Sequence, residues 1–305
     1  MSSRSILVTG SHRSGSTWVG RMIALSPEVT YVHEPFSPIH RPGICRARFH
    51  HWYTFLCDEN ADGYRQALAE TLALKYQFRE ELRACRSTRD IGRMLRDAFS
   101  FTRGRVRGNR VLIKDPIAFF SAEWLAQTFS MDVVVLIRHP AAFVGSLKRA
   151  GWTFRFANLF QQPMLMQRLP ACYRDEIQRF TQSERDIVDQ GILLWRIIHT
   201  VILEYQKHHP EWIYLRHEDL ARDPQSGFGE LYDRLGLQMT PSIEAKIRRY
   251  CSTIQEADKL PVHAIRRDSS RTLTAWKQRL SRNEIHRIRK ATEDIASRFY
   301  GERDW

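Results

Sequence analysis

The stretch Ile6-Leu-Val-Thr-Gly10-Ser-His-Arg13-Ser14-Gly15-Ser16-Thr17-Trp18 constrains this chain more than any other. It opens on four apolar or β-branched residues without polar alternation, which suits a strand covered on both faces. Gly10 and Gly15 then bracket a loop of small residues, and a helical segment is expected from about Thr17. In such a unit the loop N–H groups converge and the helix N-terminus adds positive potential, so a phosphate-sized anion is favoured. Against the triphosphate-binding pattern G-x-x-x-x-G-K-[ST], Gly10, Gly15 and Thr17 fit, but Ser16 takes the lysine position. That lysine normally reaches the β- and γ-phosphates, so its absence weighs against ATP or GTP hydrolysis. The cation lies earlier, at Arg13, and the loop reads as a seat for one tetrahedral anion. An ordinary strand-to-helix turn is the alternative that this loop leaves open.

Four further short apolar runs follow: Val29–Val32, Val111–Ile113, Val133–Ile137 and Ile213–Leu215. Long segments with helical patterning separate them, so the expectation is a doubly wound α/β domain. Helices are expected from a capping box at Ser183-x-x-Asp186, from a second at Ser281-x-x-Glu284, and around Phe228–Leu235, ended by Gly236. The stretches of about 36–110 and 151–182 break the alternation. They read as insertions over the ligand end of a single domain spanning 1–305, the first carrying a helix through Tyr64, Leu68, Leu72 and Tyr76.

Composition narrows the function. The 305 residues carry 47 Lys and Arg against 34 Asp and Glu, a net charge of +13, with 43% hydrophobic residues. That excludes a disordered or low-complexity chain and points to an anionic partner. The five cysteines form no C-x-x-C pair, so reduced thiols are expected rather than a zinc site or a disulfide framework. No run approaches the length of a membrane span or a signal peptide, and the chain reads as soluble and cytoplasmic.

A second anion-binding feature follows the fourth strand. Arg138-His-Pro140 places an arginine at the carboxyl end of a strand, where α/β sheets bind ligands, and Pro140 starts a helix carrying Ser146. An exposed arginine and a helix-surface serine are the plainer reading of that pair.

Together these residues resemble the sulfotransferases that use 3′-phosphoadenosine 5′-phosphosulfate (PAPS). Arg13-Ser-Gly-Ser-Thr-Trp18 is similar to their 5′-phosphosulfate loop, and Arg138 with Ser146 to their 3′-phosphate motif. Tyr31-Val-His-Glu34-Pro-Phe36, Ile113-Lys114-Asp115-Pro116, Glu218-Asp219-Leu220 and Ser269-Ser-Arg-Thr272 extend the likeness over nearly the whole chain. The departures from the best-known cytosolic members place it nearer the bacterial and carbohydrate-type branch.

The resemblance implies a parallel-sheet, P-loop fold related to nucleotide kinases, with the donor across the carboxyl ends of the strands. It implies that Ser14, Gly15, Ser16 and Thr17 hold the 5′-phosphosulfate, and that Arg13 neutralises the leaving phosphate. Trp18 would stack near the adenine or face the core, and His217 takes the place of a tyrosine that contacts the adenine. Arg138 and Ser146 would bind the 3′-phosphate, with Ser270, Arg271 and Thr272 closing over it. The implied reaction is an in-line, metal-independent sulfuryl transfer to an acceptor hydroxyl, or less often an amine. Glu34 is the favoured base, Asp115 the second choice and His33 the third, since strand alternation should turn His33 away from Glu34. Lys114 would assist the leaving oxygen.

The expected partner is a small-molecule or glycan acceptor, with peripheral membrane contact if the acceptor is a lipid; no nucleic acid is expected. Two rivals stand beside this reading. A small-molecule or nucleotide kinase would need a lysine at position 16 and a magnesium carboxylate, for which Asp115 is the candidate. A non-catalytic polyanion binder would use Arg103, Arg105, Arg107 and Arg110, read here as a basic loop.

Overall fold

The computed structural model describes residues 4–251 and 273–305. The five expected strands are all present, each one or two residues longer: β1 (Ile6–Gly10), β2 (Val29–His33), β3 (Arg110–Lys114), β4 (Asp132–Ile137) and β5 (Ile213–Arg216). They form one sheet in the order β2-β3-β1-β4-β5. Both β1 and β2 pair in parallel with β3, with Ile6 opposite Leu112 and Val32 opposite Ile113. Every residue of β1 and β3 is buried, as runs without polar alternation require. This is the α/β architecture that the sequence predicts.

The chain divides into two compact units, the first from Met1–Thr9 and Val19–Val134, the second from Gly10–Trp18 and Val135–Trp305. In the first unit, the 36–110 segment holds three helices rather than one: Asp62–Leu72, Phe78–Ala84 and Thr88–Val106. Tyr76 falls beyond the first of them. Ser87 caps the third, its side chain accepting from the Asp90 N–H at 3.2 Å.

The basic loop expected over Arg103–Arg110 is corrected by this helix. Arg103 and Arg105 lie on its last turn and Arg107 is its C-cap, while Arg110 is buried in β3 and ion-paired with Asp132. The glycine between the arginines invites a loop reading for the wrong reason. A Cβ on Gly104 would lie 2.1 Å from Thr30 Oγ1, so the glycine admits β2 to the helix rather than breaking it.

In the second unit, Pro140 opens the helix Pro140–Ala150 and Gly151, at φ +62°, closes it. The 151–182 segment forms the helices Ala157–Phe160, Pro163–Arg168 and Ala171–Gln182. The long helix Ile187–His208 starts one turn later than the Ser183 box predicts. Ser183 is the C-cap of the preceding helix, and the Asp186 carboxylate caps the long one by accepting from Val188 and Asp189 N–H at 2.7 and 2.8 Å. The Ser281–Glu284 box caps Arg282–Ala296 as expected. Among the described residues no helix is long and apolar enough to cross a membrane.

Candidate active site

In the second unit the chain leaves β1 through Gly10 at φ +135°, Arg13 at +64° and Gly15 at +98°, before the helix Ser16–Ile23 begins. The two glycines have separate reasons. A Cβ on Gly10 would stand 2.6 Å from the Leu136 carbonyl of β4, and one on Gly15 would stand 2.4 Å from His217 Nδ1. The loop is thus laid against β4 on one side and the His217 ring on the other. The hydroxyls of Ser11 and Ser14 are buried with no hydrogen-bond partner among the described residues. Orphaned buried hydroxyls beside a helix N-terminus suit an anion that would accept from them.

Arg13 donates from Nε to Ser146 Oγ at 2.8 Å, and its guanidinium lies 5.2 Å over the Trp152 ring. The two anion-binding features predicted from separate parts of the sequence therefore meet through this bond. His12 packs against Phe143 and Trp152 at ring separations of 5.4 and 6.5 Å. Burial, and then the Arg13 charge, push its pKa down to about 3, so it stays neutral at physiological pH.

Arg138 is 7% exposed, and its Nε lies 3.4 Å from Glu218 Oε1. Burial lowers the Arg138 pKa, and the Glu218 charge opposes that. Glu218 also accepts from the His139 N–H at 3.2 Å and the Tyr300 hydroxyl at 2.9 Å. The Trp195 indole donates to the Arg138 carbonyl at 2.8 Å. Adjacent residues of the short helix His217–Arg222 thus do two jobs: His217 underlies the anion loop and Glu218 holds Arg138. Trp18 is buried, its ring edge-on to His217 and Phe228 at 5.4 and 5.2 Å, and so faces the core.

The first unit carries the carboxylates. Glu34 follows the last residue of β2 and donates its N–H to the Lys114 carbonyl at 3.0 Å, continuing the pairing with β3. It then turns into the left-handed region at φ +46°. Asp115 fixes this turn: its carboxylate accepts from the Phe36 N–H at 2.7 Å and the Ile117 N–H at 3.1 Å. Lys114 is fully buried and ion-paired through Nζ to Glu34 Oε1. Burial lowers the Lys114 pKa despite Glu34. Burial, and next the Glu34 charge, raise Asp115 to about 8.

Strand alternation misplaces His33. Its Nε2 lies 3.9 Å from Glu34 Oε2, because the positive φ at Glu34 ends the pleat and brings the two side chains to one side. Thus Glu34, Lys114 and Asp115 are neighbours in the first unit, and Arg13, Ser14, Gly15, Ser16, Arg138, Ser146 and His217 belong to the second. Ser270, Arg271 and Thr272 lie outside the described residues.

Sequence reasoning missed the roles of Glu218 and Trp195, which position Arg138. A carboxylate just after a strand was the available signal for Glu218; for Trp195, inside a long apolar helix, there was none. Among the described residues no group of three or more His, Cys, Asp or Glu is disposed to hold a metal ion.

Comparison with known proteins adds the following. The sulfotransferase family matches over residues 5–241. Human carbohydrate sulfotransferase 5 is 23% identical over 335 aligned positions, covering 93% of this chain and 74% of its own. The solved sulfotransferase domain of the Synechococcus PCC 7002 olefin synthase is 15% identical at a TM-score of 0.49, covering 98% of this chain and 94% of its own. Mouse sulfotransferase SULT7A1, complexed with PAP, is 11% identical at 0.48, covering 98% and 86%.

Proposed function

This chain belongs to the sulfotransferase family, and from that premise we propose that it transfers a sulfuryl group from PAPS to a hydroxyl of a carbohydrate or glycolipid acceptor. The observation that carries the reading is the 2.8 Å bond from Arg13 Nε to Ser146 Oγ, which joins the 5′-phosphosulfate loop to the 3′-phosphate motif. The orphaned Ser11 and Ser14 hydroxyls fit the same donor, since each has a proton to give and no acceptor among the described residues. Ser16 in place of the triphosphate lysine argues against the kinase reading.

The bound donor supplies a sulfuryl group whose bond to the 5′-phosphate oxygen breaks as its bond to the acceptor oxygen forms. The loop N–H groups with Ser14, Ser16 and Thr17 hold the phosphosulfate, and Arg13 offsets charge on the departing phosphate oxygen. Arg138 and Ser146 hold the 3′-phosphate, which distinguishes this donor from ATP. Glu34 takes the acceptor proton. The choice of Glu34 over Asp115 follows from their bonds: both Asp115 oxygens are occupied by backbone N–H groups, whereas Glu34 keeps Oε2 toward a partly exposed side. Lys114, ion-paired to Oε1, orients that carboxylate.

Calorimetric titration with 3′-phosphoadenosine 5′-phosphate tests the donor site. Arg13→Gln and Ser146→Ala should each weaken binding, and unchanged affinity in both would remove the assignment. An acceptor screen with radiolabelled PAPS tests the reaction. There Glu34→Gln should lower turnover about 100-fold or more while leaving donor affinity near that of the parent.

A further inference from the structure

Among the described residues nine large hydrophobic side chains are exposed, and six of them fall between positions 78 and 106. They are Phe78 and Leu82 on the helix Phe78–Ala84, and Ile91, Leu95, Phe99 and Val106 on the helix Thr88–Val106, with exposures from 42% to 82%. At 3.6 residues per turn the last four fall within an arc of about 80°. The opposite side of that helix carries the buried Met94, Phe101 and Gly104, so the core already has its own face. Apolar surface in one continuous stripe marks a contact surface, unlike the same residues scattered singly.

Charge identifies what the stripe fits. Arg89, Arg96 and Arg103 follow one another at seven-residue intervals along one flank, and all three are exposed. Over residues 78–107 nine arginines stand against four acidic residues, of which Glu81 is buried and Asp97 is shared between Arg41 and the flank residue Arg96, leaving the face with a surplus of positive charge. Two copies of this face would set like charges against each other. An apolar stripe edged by arginines instead matches the boundary between acyl chains and anionic headgroups.

A second feature of the same unit agrees. An open cavity of about 690 Å³ is lined by His40, Arg46, Arg48, Arg83 and Arg86 with one carboxylate, Glu80, which lies 3.8 Å from Arg83, so cations outnumber it. Arg83 shares its helix with Phe78 and Leu82. His40 Nε2 is buried with no partner among the described residues. The volume suits a headgroup rather than a single small ion.

We propose that the helices Phe78–Ala84 and Thr88–Val106 form a docking face for an anionic bilayer surface, with the arginine-lined cavity receiving a lipid headgroup. This is independent of the donor-site reading, because it uses none of those residues.

Co-sedimentation of the full chain with vesicles of phosphatidylcholine, with and without phosphatidylserine, tests it. Binding should require phosphatidylserine and weaken as salt rises. Leu95→Glu with Phe99→Glu should abolish it. Arg89→Ser, Arg96→Ser and Arg103→Ser together should lower the partition coefficient roughly 100-fold. Thermal unfolding reports whether each variant folds, and the arginine triple variant decides the matter if the double glutamate variant does not. Absent binding, or equal binding to both vesicles, overturns the proposal. So does a solution dimer that the glutamates dissociate, since the stripe would then belong to a second copy of the chain.

Discussion

Gly15→Ala puts the geometry of the anion loop to a quantitative test. Two costs arise, and the structure separates them. At φ +98° an L side chain is strained, at about 1–3 kcal/mol. Its Cβ would also stand 2.4 Å from Nδ1 and 3.0 Å from Cε1 of His217, a residue only 3% exposed and with little room to retreat. Overpacking of that kind costs about 1–3 kcal/mol more. Urea unfolding should show a loss of roughly 2–6 kcal/mol, and titration with 3′-phosphoadenosine 5′-phosphate should show weakened binding. In Gly15→Ala combined with His217→Ala the ring is gone and only the strain persists. The double-mutant cycle should therefore return a coupling of about 1–3 kcal/mol between the two positions. A single-variant loss below ~0.5 kcal/mol would mean that the loop is not held at this φ, and the cradle reasoning would fail with it. Zero coupling at full cost would leave the strain but refute His217 as the support.

Other perturbations probe the rest of the site and the frame behind it. Arg138→Ala leaves Glu218 buried without its cation, which should cost about 3–5 kcal/mol in unfolding free energy; a change within ~0.5 kcal/mol would contradict the pairing. Gly104→Ala drives a Cβ to 2.1 Å from Thr30 Oγ1, so the melting temperature should fall, and Thr30→Ala should restore part of it. No rescue would mean that Gly104 is not the close-approach point. Asp115 has a folded pKa of about 8 against an ordinary value of 3.8, so the folded chain holds a proton that the unfolded chain releases. Its contribution is complete below about pH 4 and is lost as pH rises toward 8. The stability difference between the parent and Asp115→Asn should fall across that window. A difference independent of pH would show that Asp115 is not held protonated.

How far the sequence reached depended on whether a signal was local. The strands β1, β3 and β4 were legible because a strand buried on both faces leaves a short apolar run between turn residues, while the partly exposed β2 and β5 were marked by their β-branched and apolar residues. The 88–106 helix was not, because arginine is as much a helix former as a loop residue, and Gly104 serves a neighbouring strand. The late start of Ile187–His208 is a competition between two adjacent caps. Asp186 accepts from two N–H groups, and Ser183 is already committed to ending the helix before it.

The same distinction accounts for what was missed at the site. The glycines and small residues of the anion loop state their backbone requirement locally, and Arg13, Arg138 and Ser146 follow from spacing. What orients Glu34 and Arg138, each within its own unit, is distant in the chain: Phe36 and Asp115, which set the Glu34 turn, are 79 positions apart, as are His139 and the Glu218 that holds Arg138. Strand periodicity fails at Glu34 because the Asp115 side-chain carboxylate, invisible in the pattern of residues 29–36, accepts from the Phe36 N–H and stabilises a left-handed turn there. A residue forced out of the pleat at the carboxyl end of a strand presents its side chain where α/β sheets meet their ligands. Period-two reasoning breaks at Glu34, the residue proposed as the base, so its left-handed φ and its candidacy rest on one backbone geometry.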